Sequence, residues 1–222
     1  MKDKCCALIG LDGSGKSANL ELLKKDSSFS DVEFLWVRWE PTLLKPLYNI
    51  LNKREKNRKT QVEPSGERPT IDSSYQSRKA IKSKVFSNPL IRRGWLFMAT
   101  LDYTIQYYRK VGKYLLKKRP IIYDRFYLDL YIDQGINLGY SVEQIEKEIS
   151  NHSWVFPKLD KYIYIRVRPA VCYARKDDIP NMEYLEKRYA IYEHLSKSMN
   201  WIIIDGEMPL ENVFDAIKKE LL

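Results

Sequence analysis

Residues Gly10-Leu11-Asp12-Gly13-Ser14-Gly15-Lys16-Ser17 fit the pattern G-x-x-x-x-G-K-[ST], a spacing suited to one kind of chemistry, the holding of a polyphosphate. Gly10, Gly13 and Gly15 let successive backbone N–H groups turn inward around an anion. Asp12 and Ser14 complete the loop. Lys16 reaches the β- and γ-phosphates of a bound triphosphate, and the Ser17 hydroxyl is a ligand for Mg²⁺. The expected ligand pair is therefore ATP and Mg²⁺.

Three further places carry reactive residue types. Ile121-Ile122-Tyr123-Asp124-Arg125 ends an apolar run on an acid followed by a base. A carboxylate at Asp124 suits a Mg²⁺ water shell or the orientation of a nucleophilic oxygen, and Arg125 offers a planar fork for a phosphate or carboxylate. A plain ion pair at a strand end would read the same way. Glu40, in Arg38-Trp39-Glu40-Pro41, is a second acid at the end of an apolar run. It is suited to accept a hydrogen bond from a substrate hydroxyl, or to be an ordinary loop residue. The third place, Arg166 to Asp178, is dense in cations. Phosphoryl transfer needs positive charge around the migrating group, and Arg175 with Lys176 would supply it from a lid. The expected catalytic set is Lys16, Asp124, Arg125 and Arg175, with Ser17 and Asp124 on the metal.

These residues need a scaffold that brings strand ends together. Five short apolar runs read as strands: Cys5 to Ile9, Val32 to Arg38, Pro120 to Tyr123, Lys161 to Arg166 and Trp201 to Ile204. Helical periodicity falls on Ser17 to Lys25, Arg92 to Lys117, Ser141 to Ile149, Ala170 to Arg175, Met182 to Lys197 and Leu210 to Leu221. Ser141 with Gln144 predicts a capping box. Alternation of apolar strands and helices predicts an α/β class: a parallel sheet with helices on both faces. In such a sheet, ligands bind beyond the carboxyl ends of the strands, where Asp124 and the glycine loop would meet.

The chain has 222 residues and a net charge of +9. Residues 45–93 hold thirteen Lys and Arg against four Asp and Glu, so this segment accounts for the whole excess. It reads as a basic insertion on the acceptor side, suited to an anionic partner or to a solvated excursion. A nucleic-acid partner is admitted but not favoured, because Tyr75 and Phe86 stand almost alone as stacking residues. No run of 18 apolar residues is present, so no membrane span is expected. Nor is a signal peptide expected, and Cys5, Cys6 and Cys172 suit a reducing cytoplasm. His152 and His194 have no metal-ligand spacing. The expected organisation is a single domain over 1–222 with a lid at 167–182.

Together these motifs resemble the nucleoside monophosphate kinases, and most closely the thymidylate kinase group. The resemblance rests on the glycine loop with its acid at Asp12, on Glu40-Pro41, on Asp124-Arg125-Phe126, and on Arg175-Lys176 with Glu186-Lys187-Arg188-Tyr189 and Tyr192. It implies the three-layer P-loop NTPase fold with a five-stranded sheet and a short lid. It implies a cytoplasmic transferase acting on a nucleotide substrate, thymidine monophosphate or a related pyrimidine nucleotide. It also implies a homodimer formed through the long Arg92 to Lys117 helix. Arg125 would hold the acceptor phosphate, with Asp12 near the acceptor sugar. Glu40, Phe97 and Tyr103 would line the acceptor site, although the spacing of Tyr103, Tyr107, Tyr108 and Tyr114 along one helix face equally suits core or subunit-interface packing. Two departures stand out: Glu40-Pro41 continues as Thr42-Leu43-Leu44 instead of Gly-Gly-Thr, and Leu101 occupies the base-reading arginine position. A same-fold kinase for a nucleoside or another small hydroxyl compound is the alternative. A nucleic-acid-associated ATPase or nucleotide switch ranks below it.

Overall fold

The computed structural model describes residues 5–46 and 86–222. Most of the basic segment, 47–85, lies outside the described residues. Five strands form one parallel sheet: β1 (Cys5–Ile9), β2 (Glu33–Trp36), β3 (Ile121–Asp124), β4 (Lys161–Arg166) and β5 (Ile202–Asp205), in the order β2-β3-β1-β4-β5. Each falls within a residue of the periodicity, except that β2 is shorter than the run that predicts it. The inner strands are apolar on both sides because helices cover both faces. Cys6, Ala7 and Leu8 of β1 and Ile163, Tyr164 and Ile165 of β4 are fully buried.

Among the described residues the main helices are α1 (Lys16–Lys25), α2 (Pro89–Leu116), α3 (Tyr127–Leu138), α4 (Val142–His152), α5 (Pro169–Arg175), α6 (Met182–Ser198) and α7 (Leu210–Leu221). α1 packs with α7, while α2, α3, α4 and α6 pack together across the opposite face. α2 starts earlier than its periodicity. Asn88 accepts a hydrogen bond from Leu90 N at 2.8 Å, and Pro89 opens the first turn. The capping box forms as expected: Ser141 Oγ accepts from Gln144 N (3.3 Å), and Gln144 Oε1 accepts from Ser141 N (2.9 Å).

Helix α3 is absent from the sequence reading. It is buried on nearly every side, so Leu128, Leu130, Tyr131 and Ile132 blur the amphipathic stripe that marks a surface helix. Gly135 lets α4 approach it closely: a Cβ there would stand 2.4 Å from Ile145 Cγ1. This helix supplies two of the acids around the site.

Candidate functional site

The parallel register brings the reactive residues to one edge. Leu8, two residues before Gly10, pairs with Asp124 on one side and Ile163 on the other. Asp124 pairs in turn with Trp36, just before the Arg38–Glu40 segment. The glycine loop, the Asp124-Arg125 pair and the chain after β2 therefore all leave the sheet at its carboxyl edge, as predicted.

The loop itself is held tightly. Gly13 has φ +86° and sits against α5, where a Cβ would lie 2.6 Å from the Cys172 carbonyl oxygen. Gly15, at φ +89°, caps α1 in a left-handed conformation that a side chain would strain. Lys16 is buried, and its Nζ donates to the carbonyls of Gly10 (2.8 Å) and Leu11 (2.6 Å) and to Ser14 Oγ (3.3 Å). Burial pushes its pKa down to about 8 and neighbouring Arg125 adds to this, against the pull of Asp12 and Asp129. Ser17 is exposed on the first turn of α1. Burial raises the Asp124 carboxyl, outweighing the Lys16 and Arg125 cations.

Arg125 adopts φ +66°, the left-handed region that a β-substituted residue enters at a cost. That turn aims its guanidinium at two acids. Nη2 pairs with Asp12 Oδ1, and Nη1 lies 3.7 Å from Asp129 Oδ1. Tyr184 OH donates to Asp12 Oδ2 at 3.0 Å, and Tyr192 OH to Asp129 Oδ1 at 2.5 Å. Beyond them, Arg188 Nη2 donates to Asp133 at 2.5 Å, and Arg38 stands 3.8 Å from the same carboxylate. Burial works against ionisation of Asp12, but Arg125 and Lys16 outweigh it and hold the carboxyl well below its usual range. Burial would lower Arg125, yet Asp129 and Asp12 keep it firmly protonated. Asp129, Asp133, Tyr184 and Arg188 were not among the expected site residues. Arg125, Asp129 and Asp133 are spaced by four, a signal readable only once α3 is recognised.

Other expectations fare differently. Glu40 is exposed, on a segment tied to α2 by its neighbours. Arg175 Nη1 donates to the Gly206 carbonyl at 3.0 Å, so its guanidinium rests at the end of β5. The lid region is short and anchored: Ile179 is buried, and Asn181 caps α6 by accepting from Tyr184 N at 2.9 Å. Two residues expected at the acceptor site stand apart from the others. Tyr103 is buried in the core and donates its hydroxyl to Val37 O at 2.9 Å, so it braces the end of β2 and offers no ring to a ligand. Phe97 is 63% exposed and shares the outward face of α2 with Leu101, Ile105 and Tyr108. It lies five residues from Asp102, which faces the Glu40 segment, and so points about 140° away from it.

No protein-family model matches the sequence, and no curated protein sequence matches it either. Solved structures do match the fold. Deoxyadenosine kinase from M. mycoides with bound dATP aligns over 98% of both chains at 18% identity and a TM-score of 0.55. Its dCTP complex aligns over 98% of both chains at 19% identity and a TM-score of 0.52. Its complex with the products dCMP and a flexible dCDP gives the same coverage, with 18% identity and a TM-score of 0.54. The architecture is thus the P-loop NTPase fold of deoxyadenosine kinase, a five-stranded parallel sheet with helices on both sides. Among the described residues, no helix is long and apolar enough to cross a membrane.

Proposed function

We propose that this chain is an ATP-dependent kinase that transfers the γ-phosphoryl group to a hydroxyl of a nucleoside-class acceptor. Lys16 holds the triphosphate, and with the guanidinium of Arg175, swung from Gly206, it stabilises the charge that develops during transfer. The bond from the γ-phosphorus to the ADP oxygen breaks, a bond to the acceptor hydroxyl forms, and the hydroxyl proton passes to the Glu40 carboxylate. Ser17 and Asp124 are hard oxygen donors of the kind Mg²⁺ prefers. Among the described residues no cluster of three His, Cys, Asp or Glu could cage a metal alone, which fits an ion shared with phosphate oxygens. When bound, Mg²⁺ neutralises charge on the β- and γ-phosphates.

The observation that carries the choice of acceptor is the double engagement of Arg125. Its charge already answers Asp12 and Asp129, and Arg188 answers Asp133. An acceptor that brings no phosphate leaves these pairs intact, whereas a monophosphate must compete with them. This reading favours a nucleoside over the thymidine monophosphate implied by the motifs. The monophosphate reading keeps one specific support: Arg38, with its side chain 40% exposed and 3.8 Å from Asp133, is a weakly held cation at the same edge. We also propose a homodimer formed by the outward stripe of α2, where Leu90, Phe97, Leu101, Ile105 and Tyr108 stand exposed.

The test uses γ-labelled ATP with Mg²⁺ and a panel of nucleosides and their monophosphates, with products separated by chromatography. Label on nucleosides is the expected result. Label on monophosphates alone replaces the reading with a thymidylate kinase-like one, and no acceptor-dependent label removes it.

A further inference from the structure

We infer that Asp102, fully buried on α2, is the positioning residue that sets where Glu40 stands, an inference that rests on the kinase reading above. Its carboxylate accepts five hydrogen bonds from the segment after β2 and from its own helix. Oδ2 takes Trp39 Nε1 (3.2 Å) and Thr42 N (2.9 Å), while Oδ1 takes Thr42 Oγ1, Leu43 N (3.2 Å) and Gln106 Nε2 (3.0 Å). Gln106, one turn further along α2, donates the other hydrogen of the same Nε2 to the Glu40 carbonyl at 2.8 Å, with Thr42 Oγ1 3.3 Å away. Glu40 is thus bracketed: Trp39 before it and Thr42 after it bind one carboxylate, and its own carbonyl binds the partner of that carboxylate.

The arrangement exceeds what a loop needs to lie on a helix. A buried carboxylate is costly unless its lone pairs are filled, and here backbone and side-chain donors fill them from one short stretch. Burial works against ionisation of Asp102, and the hydrogen bonds from Thr42, Gln106 and Leu43 hold it below its ordinary range. The donors converge on two oxygens at fixed angles, so the backbone of 39–43 has one seated position. The Glu40 side chain, itself exposed, inherits a fixed origin at the carboxyl edge of the sheet. Thr42 and Leu43 are the residues of this stretch whose backbone N–H groups donate.

The test is Asp102→Asn, which keeps the shape but places an NH₂ group where two N–H donors or the Oδ1 donor set point. Three measurements are read together: acceptor kcat/KM, the KM for ATP, and hydrogen–deuterium exchange of the Thr42 and Leu43 amides. The expected result is faster exchange confined to 39–43 and an acceptor kcat/KM lowered by about 10- to 100-fold, with the KM for ATP unchanged. Gln106→Leu removes the Glu40 carbonyl contact and one of the five hydrogen bonds to the carboxylate, while leaving Asp102 itself in place. It is the second variant should Asp102→Asn fail to fold, with the same signature expected at smaller size. A folded variant whose acceptor kcat/KM stays within about twofold of the parent, with 39–43 still protected, overturns the inference. Equal losses for ATP and acceptor also overturn it, because they mark general loosening. A parent chain that turns over no acceptor overturns the kinase reading, and the inference falls with it.

Discussion

Replacing Lys16 with methionine should change the pH dependence of folding in a way that isolates one buried charge. The Lys16 ammonium is pushed from its ordinary 10.5 to about 8, first by burial and then by Arg125. Between those two values the folded protein binds fewer protons than the unfolded chain, so stability rises with pH across that window. Below about pH 8 the full penalty is present, and above 10.5 it is gone. At 1.36 kcal/mol per pH unit, the difference is worth about 3 kcal/mol. Lys16→Met carries no charge at any pH, so the stability difference between parent and variant should close in the parent's favour by about 3 kcal/mol from pH 7 to pH 10.5. Groups remote from Lys16 cancel in that difference, while Cys172, whose thiol the Lys16 charge holds lower, contributes a smaller change of its own. Urea unfolding followed by circular dichroism at several pH values gives both curves. Parallel curves would refute the buried-ammonium argument. The same logic predicts that triphosphate binding near pH 9 takes up a proton in the parent, visible as a dependence of the binding enthalpy on buffer ionisation, and that Lys16→Met abolishes turnover.

Gly13→Ala should abolish nucleotide binding and cost about 1–3 kcal/mol, because the new Cβ meets the Cys172 carbonyl in a left-handed backbone; nucleotide titration and thermal melting read both effects. Arg125→Ala should destabilise the fold by about 3–5 kcal/mol at pH 7 by leaving Asp12 and Asp129 without their cation, which chemical unfolding would measure. The Asp12 carboxyl is depressed in the folded parent, so its contribution is present above pH 3.8 and lost as the pH falls below that. The gap between parent and Arg125→Ala should accordingly narrow in acid, which unfolding between pH 3 and pH 7 would check. Leu101→Arg, on the exposed stripe of α2, should leave folding unchanged and yield a monomer by light scattering; an unchanged mass would remove the proposed dimer face.

The glycine loop, the strand ends and the parallel α/β order were legible because each is local. Glycine spacing, an acid–base pair closing an apolar run, and the period of strand and helix all lie within about ten residues of chain. Helix α3 was not legible, because burial on nearly all sides removes the polar face that reveals a helix. With α3 went the pairing of Arg125 to Asp129 and of Arg188 to Asp133. Tyr103 shows the same limit from the other side: an aromatic beside a site reads alike whether it stacks on a ligand or, as here, braces Val37 from within the core.

By itself, the sequence determined that a glycine loop with a phosphate-binding pattern sits at the carboxyl edge of a parallel sheet, because loop pattern and strand order are written in neighbouring residues. Tertiary structure alone decided how the charges there are spent. Asp12 meets Arg125 across 113 positions, Tyr184 reaches Asp12 across 172, and Asp102 holds the Glu40 segment from about 60 residues away. Electrostatics and hydrogen bonding depend on distances in space, and no pattern along one chain fixes those distances until the sheet and its helical layers are packed.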